Sequence, residues 1–129
     1  LSSSSAASDV YKRQGLAGPY DFLPITDPAL QIMFGPRGQW PRTQPINFVT
    51  RGAPPAFLAA GLADRTVDPG NSERLAAKLR ASGDAVELAL YPGLDHRKLV
   101  GALSPYLSFL APVLRDCIAF INKVAPSTR

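Results

Sequence analysis

Two apolar hexapeptides constrain this chain more than any other feature. Ala56-Phe-Leu-Ala-Ala-Gly61 is an unbroken apolar run, and Val86-Glu-Leu-Ala-Leu-Tyr91 is broken by a single charge. A run without alternation suits a strand buried on both faces, as in a parallel sheet. Pro54-Pro55 bounds the first run, and Pro92-Gly93 ends the second. Between them, Leu75, Ala76 and Leu79 fall on one helical face and Arg74 and Lys78 on the other. Asn71-Ser72 is expected to cap that helix, and Gly83 to terminate it. Strand, helix and apolar strand in succession predict an α/β fold with a right-handed crossover.

The flanking segments extend the pattern. Gly15 to Phe22 reads as a short strand running into a turn at Gly18-Pro19. Thr26-Asp27-Pro28 starts a helix, with Asp27 as cap and Pro28 in the first turn, and Gly35 stops it after Leu30, Ile32, Met33 and Phe34. Gly35 to Arg42 reads as loop, and Pro45 to Val49 as one helical turn. A helical stretch broken at Pro105 follows His96, and Pro112 opens a last helix bearing Val113, Leu114, Cys117, Ile118, Ile121 and Val124 at helical spacing. The expected architecture is about three parallel strands with covering helices. No internal repeat is present. Three strands make a poor independent sheet, so the chain is expected to be part of a larger domain.

Residues 1–14, Leu1-Ser-Ser-Ser-Ser-Ala-Ala-Ser-Asp-Val-Tyr-Lys-Arg-Gln14, differ in composition from all that follows. They resemble translated sequencing-adapter sequence, the alternative being a native Ser-rich tail. On either reading they are set aside as a non-native or disordered tail, leaving 15–124 as the domain and 125–129 as a second tail.

Composition removes several function classes. The net charge is +4, and the 14 basic residues are scattered rather than clustered among aromatics, which argues against a nucleic-acid partner. Cys117 is the only cysteine, so neither an intrachain disulfide nor a thiolate metal site is expected, and its helical face makes it core. No apolar run approaches the roughly 20 residues of a membrane span, and residues 1–14 do not read as a signal peptide. Gly-x-Gly-x-x-Gly and Gly-x-x-x-x-Gly-Lys are both missing, so no cofactor or metal ligand is assigned.

Chemistry is expected where two loops leave the carboxyl ends of the strands. Gly61-Leu-Ala-Asp64-Arg-Thr-Val67 follows the first, and Pro92-Gly-Leu-Asp-His96 the second. Neighbouring strands lie about 5 Å apart, so one crossover brings Asp64 and His96, the sole histidine, to a shared rim. A carboxylate against an imidazole fixes its tautomer and stabilises the ring when it gains a proton. A lone loop histidine or aspartate is more often ordinary surface; their conjunction favours a site.

The ordered series Pro55-Ala-Phe-Leu-Ala-Ala-Gly61-x-x-Asp64-x-x-Val67, then Asn71-Ser72, Gly83 and Val86-Glu-Leu-x-x-Tyr91-Pro-Gly93-x-x-His96 resembles the C-terminal part of α/β-hydrolase-fold serine esterases. Gly18-Pro19-Tyr20-Asp21-Phe22 is similar to the strand after their nucleophile-bearing helix, and the likeness is to bacterial carboxylesterases of the feruloyl-esterase-like and kynurenine-formamidase-like group. The resemblance implies Asp64 as triad acid and His96 as general base. It also implies a serine upstream in a Gly-x-Ser-x-Gly elbow. No such elbow occurs here; Ser82 and Ser104 do not fit the pattern. The implied function is hydrolysis of small-molecule carboxylic esters through an acyl-enzyme, with this piece inactive alone. Alternatives are the C-terminal region of a prolyl-oligopeptidase-type peptidase and a non-catalytic α/β binding module. Two positions depart from the pattern: Ala60, often His, and Asp68, often Pro, which competes with Asp64 for the acid role. Asp64 is preferred as nearer the strand end. Asp95 is expected to be a solvated loop residue, Asp21 a turn or rim residue, and Trp40 and Phe34 packing or pocket-lining groups.

Overall fold

A computed structural model describes residues 13–124 of the 129. Three strands, β1 (Arg13–Leu16), β2 (Ala56–Gly61) and β3 (Val86–Tyr91), form one sheet in the order β1-β2-β3. Both pairings are parallel, with Gln14 opposite Phe57 and Gly61 opposite Tyr91. All six residues of central β2 are buried, which is why its sequence shows no alternation. Successive side chains point to opposite faces. Phe57 and Ala59 therefore join Leu99, Val113, Cys117 and Phe120 on one face, while Ala56 and Leu58 join Ala76 and Leu79 on the other.

Four α-helices connect and cover the sheet: α1 (Pro28–Phe34), α2 (Gly70–Ala81), α3 (His96–Gly101) and α4 (Val113–Val124). The start of α1 follows expectation, with the Asp27 carboxylate accepting the Ala29 N–H at 2.8 Å. Helix α2 ends in a paired set of bonds, Gly83 N–H to the Arg80 carbonyl and Asp84 N–H to the Leu79 carbonyl. That arrangement needs a left-handed residue, and Gly83 has φ +84°.

The structure corrects four details. Asn71 and Ser72 lie inside α2, behind Pro69, and do not cap it. The Asn71 side-chain oxygen instead accepts the N–H groups of Tyr20 and Asp21 at 2.9 and 2.7 Å, tying the segment after β1 to α2. Most of the segment Gly35 to Arg42, expected as loop, belongs to a 3-10 helix over Arg37–Thr43, anchored by buried Trp40, whose ring N–H reaches the Gly35 carbonyl at 2.8 Å. Strand β1 starts at Arg13, so Arg13 and Gln14, read as tail, pair with β2 through main-chain bonds that require no particular side chain. The rest of that segment, 1–12, and the tail 125–129 lie outside the described residues. On α4, Val113, Cys117 and Phe120 are buried while Ile118 and Ile121 face outward, so its apolar stripe is wider than its packed face. Among the described residues no helix is long and apolar enough to cross a membrane.

Candidate active site

The loops after β2 and β3 are stitched together by their backbones. Leu62 N–H donates to the Tyr91 carbonyl and Ala63 N–H to the Leu94 carbonyl, each at 3.0 Å. This closeness depends on Gly61, because a Cβ there would stand 2.2 Å from the Leu94 carbonyl oxygen. A turn closed by Asp64 N–H to the Gly61 carbonyl then directs Asp64 toward the second loop.

The Asp64 side chain is fully buried, yet both of its oxygens have partners. Oδ1 accepts the N–H groups of Thr66 and Val67 at 2.8 and 2.9 Å. Oδ2 lies 2.8 Å from His96 Nδ1. Burial pushes the carboxyl pKa up, but the Val67 N–H, the His96 ring and the Thr66 N–H together outweigh it and hold the group below its ordinary value. Asp64 is therefore ionised at neutral pH and can only accept a hydrogen bond. It follows that His96 Nδ1 carries a proton, so the lone pair of an uncharged ring lies on Nε2.

His96 is the first residue of α3, and its side chain is 33% exposed. The helix is capped by Asp95, whose carboxylate accepts the Lys98 N–H at 2.8 Å, so Asp95 is a cap rather than a merely solvated residue. Around the ring opens a depression of about 390 Å³, lined in part by Ala63, Arg65, Thr66, Arg97 and Lys98. No serine or cysteine lines it among the described residues.

The other sequence candidates lie elsewhere. Asp68 is exposed, 3.6 Å from Arg74, and accepts the Gly70 N–H at the start of α2. Asp21 also pairs with Arg74, which in addition bonds the Asp21 carbonyl at 2.8 Å. Phe34 packs on Phe22 with ring centroids 5.4 Å apart, and Trp40 lies under Arg37. Ala60 is buried in β2. A larger cavity of about 750 Å³, lined by Tyr20, Phe48, Leu58 and Leu75, contains neither Asp64 nor His96. Among the described residues no three His, Cys, Asp or Glu side chains come together to hold a metal ion. Sequence reasoning overlooked the cations Arg65, Arg97 and Lys98. Their signal was position, since Arg65 directly follows Asp64 and Arg97 directly follows His96.

The model of the prolyl oligopeptidase family matches residues 36–126, a span that contains both loops and three of the four helices. The chain belongs to the prolyl oligopeptidase family. No curated protein sequence matches it. Among solved structures, a truncated carbohydrate esterase from gut microbiota is 21% identical with a TM-score of 0.70, over 87% of this chain and 41% of its own. A carboxylesterase from Lactobacillus plantarum is 14% identical with a TM-score of 0.70, over 87% of this chain and 44% of its own. Esterase 2 of Thermogutta terrifontis, phosphoramylated by tabun, is 20% identical with a TM-score of 0.65, over 90% of this chain and 43% of its own. The prolyl oligopeptidase-family chain thus has the α/β-hydrolase fold and spans less than half the length of these neighbours.

Proposed function

We propose that this chain supplies the acid and the histidine of a serine hydrolase acting on carboxylic esters. The observation that carries the reading is the buried, ionised Asp64 held 2.8 Å from Nδ1 of a partly exposed His96. In the complete protein the nucleophile is a serine outside this sequence. His96 Nε2 takes the serine proton as Oγ bonds to the substrate carbonyl carbon. Asp64 stabilises the resulting imidazolium, which returns the proton to the departing alcohol oxygen as the ester bond breaks. Water, deprotonated by the same nitrogen, then releases the acid and regenerates the serine. Two things support the nucleophile's being elsewhere: the lining of the depression, and the share of the solved neighbours' length that this chain spans. A neighbour of the same fold is an esterase phosphoramylated by tabun, which supports covalent chemistry in this reading.

The family match favours a second reading, cleavage of peptide bonds by the same acid and histidine. Parallel kinetics of the complete protein on a short acyl ester and on a prolyl arylamide separate the two. Turnover of the ester alone supports the first reading, and comparable efficiency on the amide supports the second. The 129 residues alone are expected to turn over neither. Ester turnover by the chain that disappears in His96→Ala would show that it holds its own nucleophile.

A further inference from the structure

Building on the hydrolase reading, we propose that the substrate of this site carries a negatively charged group close to its scissile ester. Three of the residues lining the depression around His96 are cations: Arg65, Arg97 and Lys98. All three are exposed, and none has an ion-pair partner among the described residues, whereas Arg74, Arg115 and Lys123 each pair with a carboxylate. The acidic groups nearby offset them only in part. Asp95, whose carboxylate caps α3, is the one acidic residue in the lining, so cations outnumber carboxylates there three to one, and Asp64 is buried beneath the rim against His96, Thr66 and Val67.

Other exposed cations, among them Arg42, Arg51 and Lys78, also have no ion pair among the described residues, but these three gather around one depression with His96. The larger cavity, which contains neither Asp64 nor His96, has a single charged residue, Arg13, in its lining. Arg65 and Arg97 are bonded in sequence to Asp64 and His96, so their Cα atoms lie about 3.8 Å from those of the pair. Both residues line the same depression as the His96 ring, which a substrate reaching that ring must enter. A carboxylate or phosphate a few bonds from the reacting carbonyl would meet unpaired guanidinium and ammonium groups there, in a concave setting that strengthens their field.

The test is steady-state kinetics of the complete protein on two matched esters, mono-4-nitrophenyl adipate, an anion, and its neutral methyl diester. The proposal predicts a higher kcat/KM for the anion at about 0.1 M NaCl. That preference should collapse at about 1 M NaCl, where screening shortens to about 3 Å. Replacing Arg65, Arg97 and Lys98 together by Gln should lower the anion-to-neutral ratio by about ten-fold, and Arg97→Lys should retain most of it. Equal, salt-independent kcat/KM values for both esters would overturn the charge proposal and leave the hydrolase reading standing. Failure to turn over either ester would overturn the ester-hydrolase reading itself.

Discussion

Asp64 Oδ2 and His96 Nδ1 stand 2.8 Å apart, although 32 positions of chain separate the two residues. The pairing is produced by topology. Each residue follows one of two adjacent parallel strands, and Gly61 lets the two loops bond main chain to main chain.

Asp64 does two jobs through its two oxygens, and different substitutions should separate them. Asp64→Asn keeps an acceptor for Thr66 and Val67 but presents no negative charge to the ring. Ester turnover of the complete protein is expected to fall on the order of 10³- to 10⁴-fold with the fold intact. Asp64→Ala leaves both N–H groups without that acceptor and should also lower stability by about 1–3 kcal/mol. Chemical denaturation of the two variants beside their kinetics checks the separation.

Acid should weaken the fold through Asp64. An unfolded aspartate titrates near about 3.9, and in the folded chain the pKa of Asp64 is lower. Between those two values the unfolded chain binds a proton that the folded chain does not, so stability rises with pH there. The contribution is fully present above about pH 4 and disappears as pH falls through the folded value. Urea midpoints of wild type and Asp64→Asn, followed from about pH 5 down to about pH 3, should converge on acidification.

Much of this site was legible from local pattern and topology. The apolar runs Ala56 to Gly61 and Val86 to Tyr91 identified buried parallel strands, and the intervening helix implied that Asp64 and His96 share a rim. What escaped depends on tertiary partners. Asn71 has the chemistry of a helix cap, but its oxygen is taken by Tyr20 and Asp21 from 50 or more positions away. Trp40 holds a Gly- and Pro-rich segment in a 3-10 helix by burying its ring, which no periodicity reveals. Arg13 and Gln14 join β1 through backbone bonds, to which composition is blind. Nearness to the strand end already favours Asp64 over Asp68, and burial and the bond to His96 set it apart in the fold.

Gly61→Ala tests the stitching of the loops. The new Cβ would meet the Leu94 carbonyl oxygen, a main-chain atom that cannot swing aside. The expected cost is about 1–3 kcal/mol, with the loops forced apart and the hydrogen bond between Asp64 and His96 broken. A fall in thermal midpoint, accompanied by disappearance of the bonded ring proton, would show both effects.

Tyr91, the last residue of β3, donates its hydroxyl to Asp116 of α4 at 2.8 Å. Burial and the adjacent Asp116 push this phenol well above its ordinary pKa, so it should stay protonated in an alkaline absorbance titration carried through the ordinary tyrosine range of about 10. Tyr91→Phe should cost about 1 kcal/mol, read from the denaturant midpoint. The His96 ring should be unaffected, because its carboxylate partner is Asp64 and not Asp116.

The most direct test of the account is the ring state of His96, the only histidine in the chain, read from its ¹⁵N and ¹³C NMR shifts at neutral pH. The account predicts a proton on Nδ1, with a downfield hydrogen-bonded signal that vanishes in Asp64→Ala. A ring protonated at Nε2 alone, or an Nδ1 signal indifferent to the removal of the Asp64 carboxylate, would contradict it.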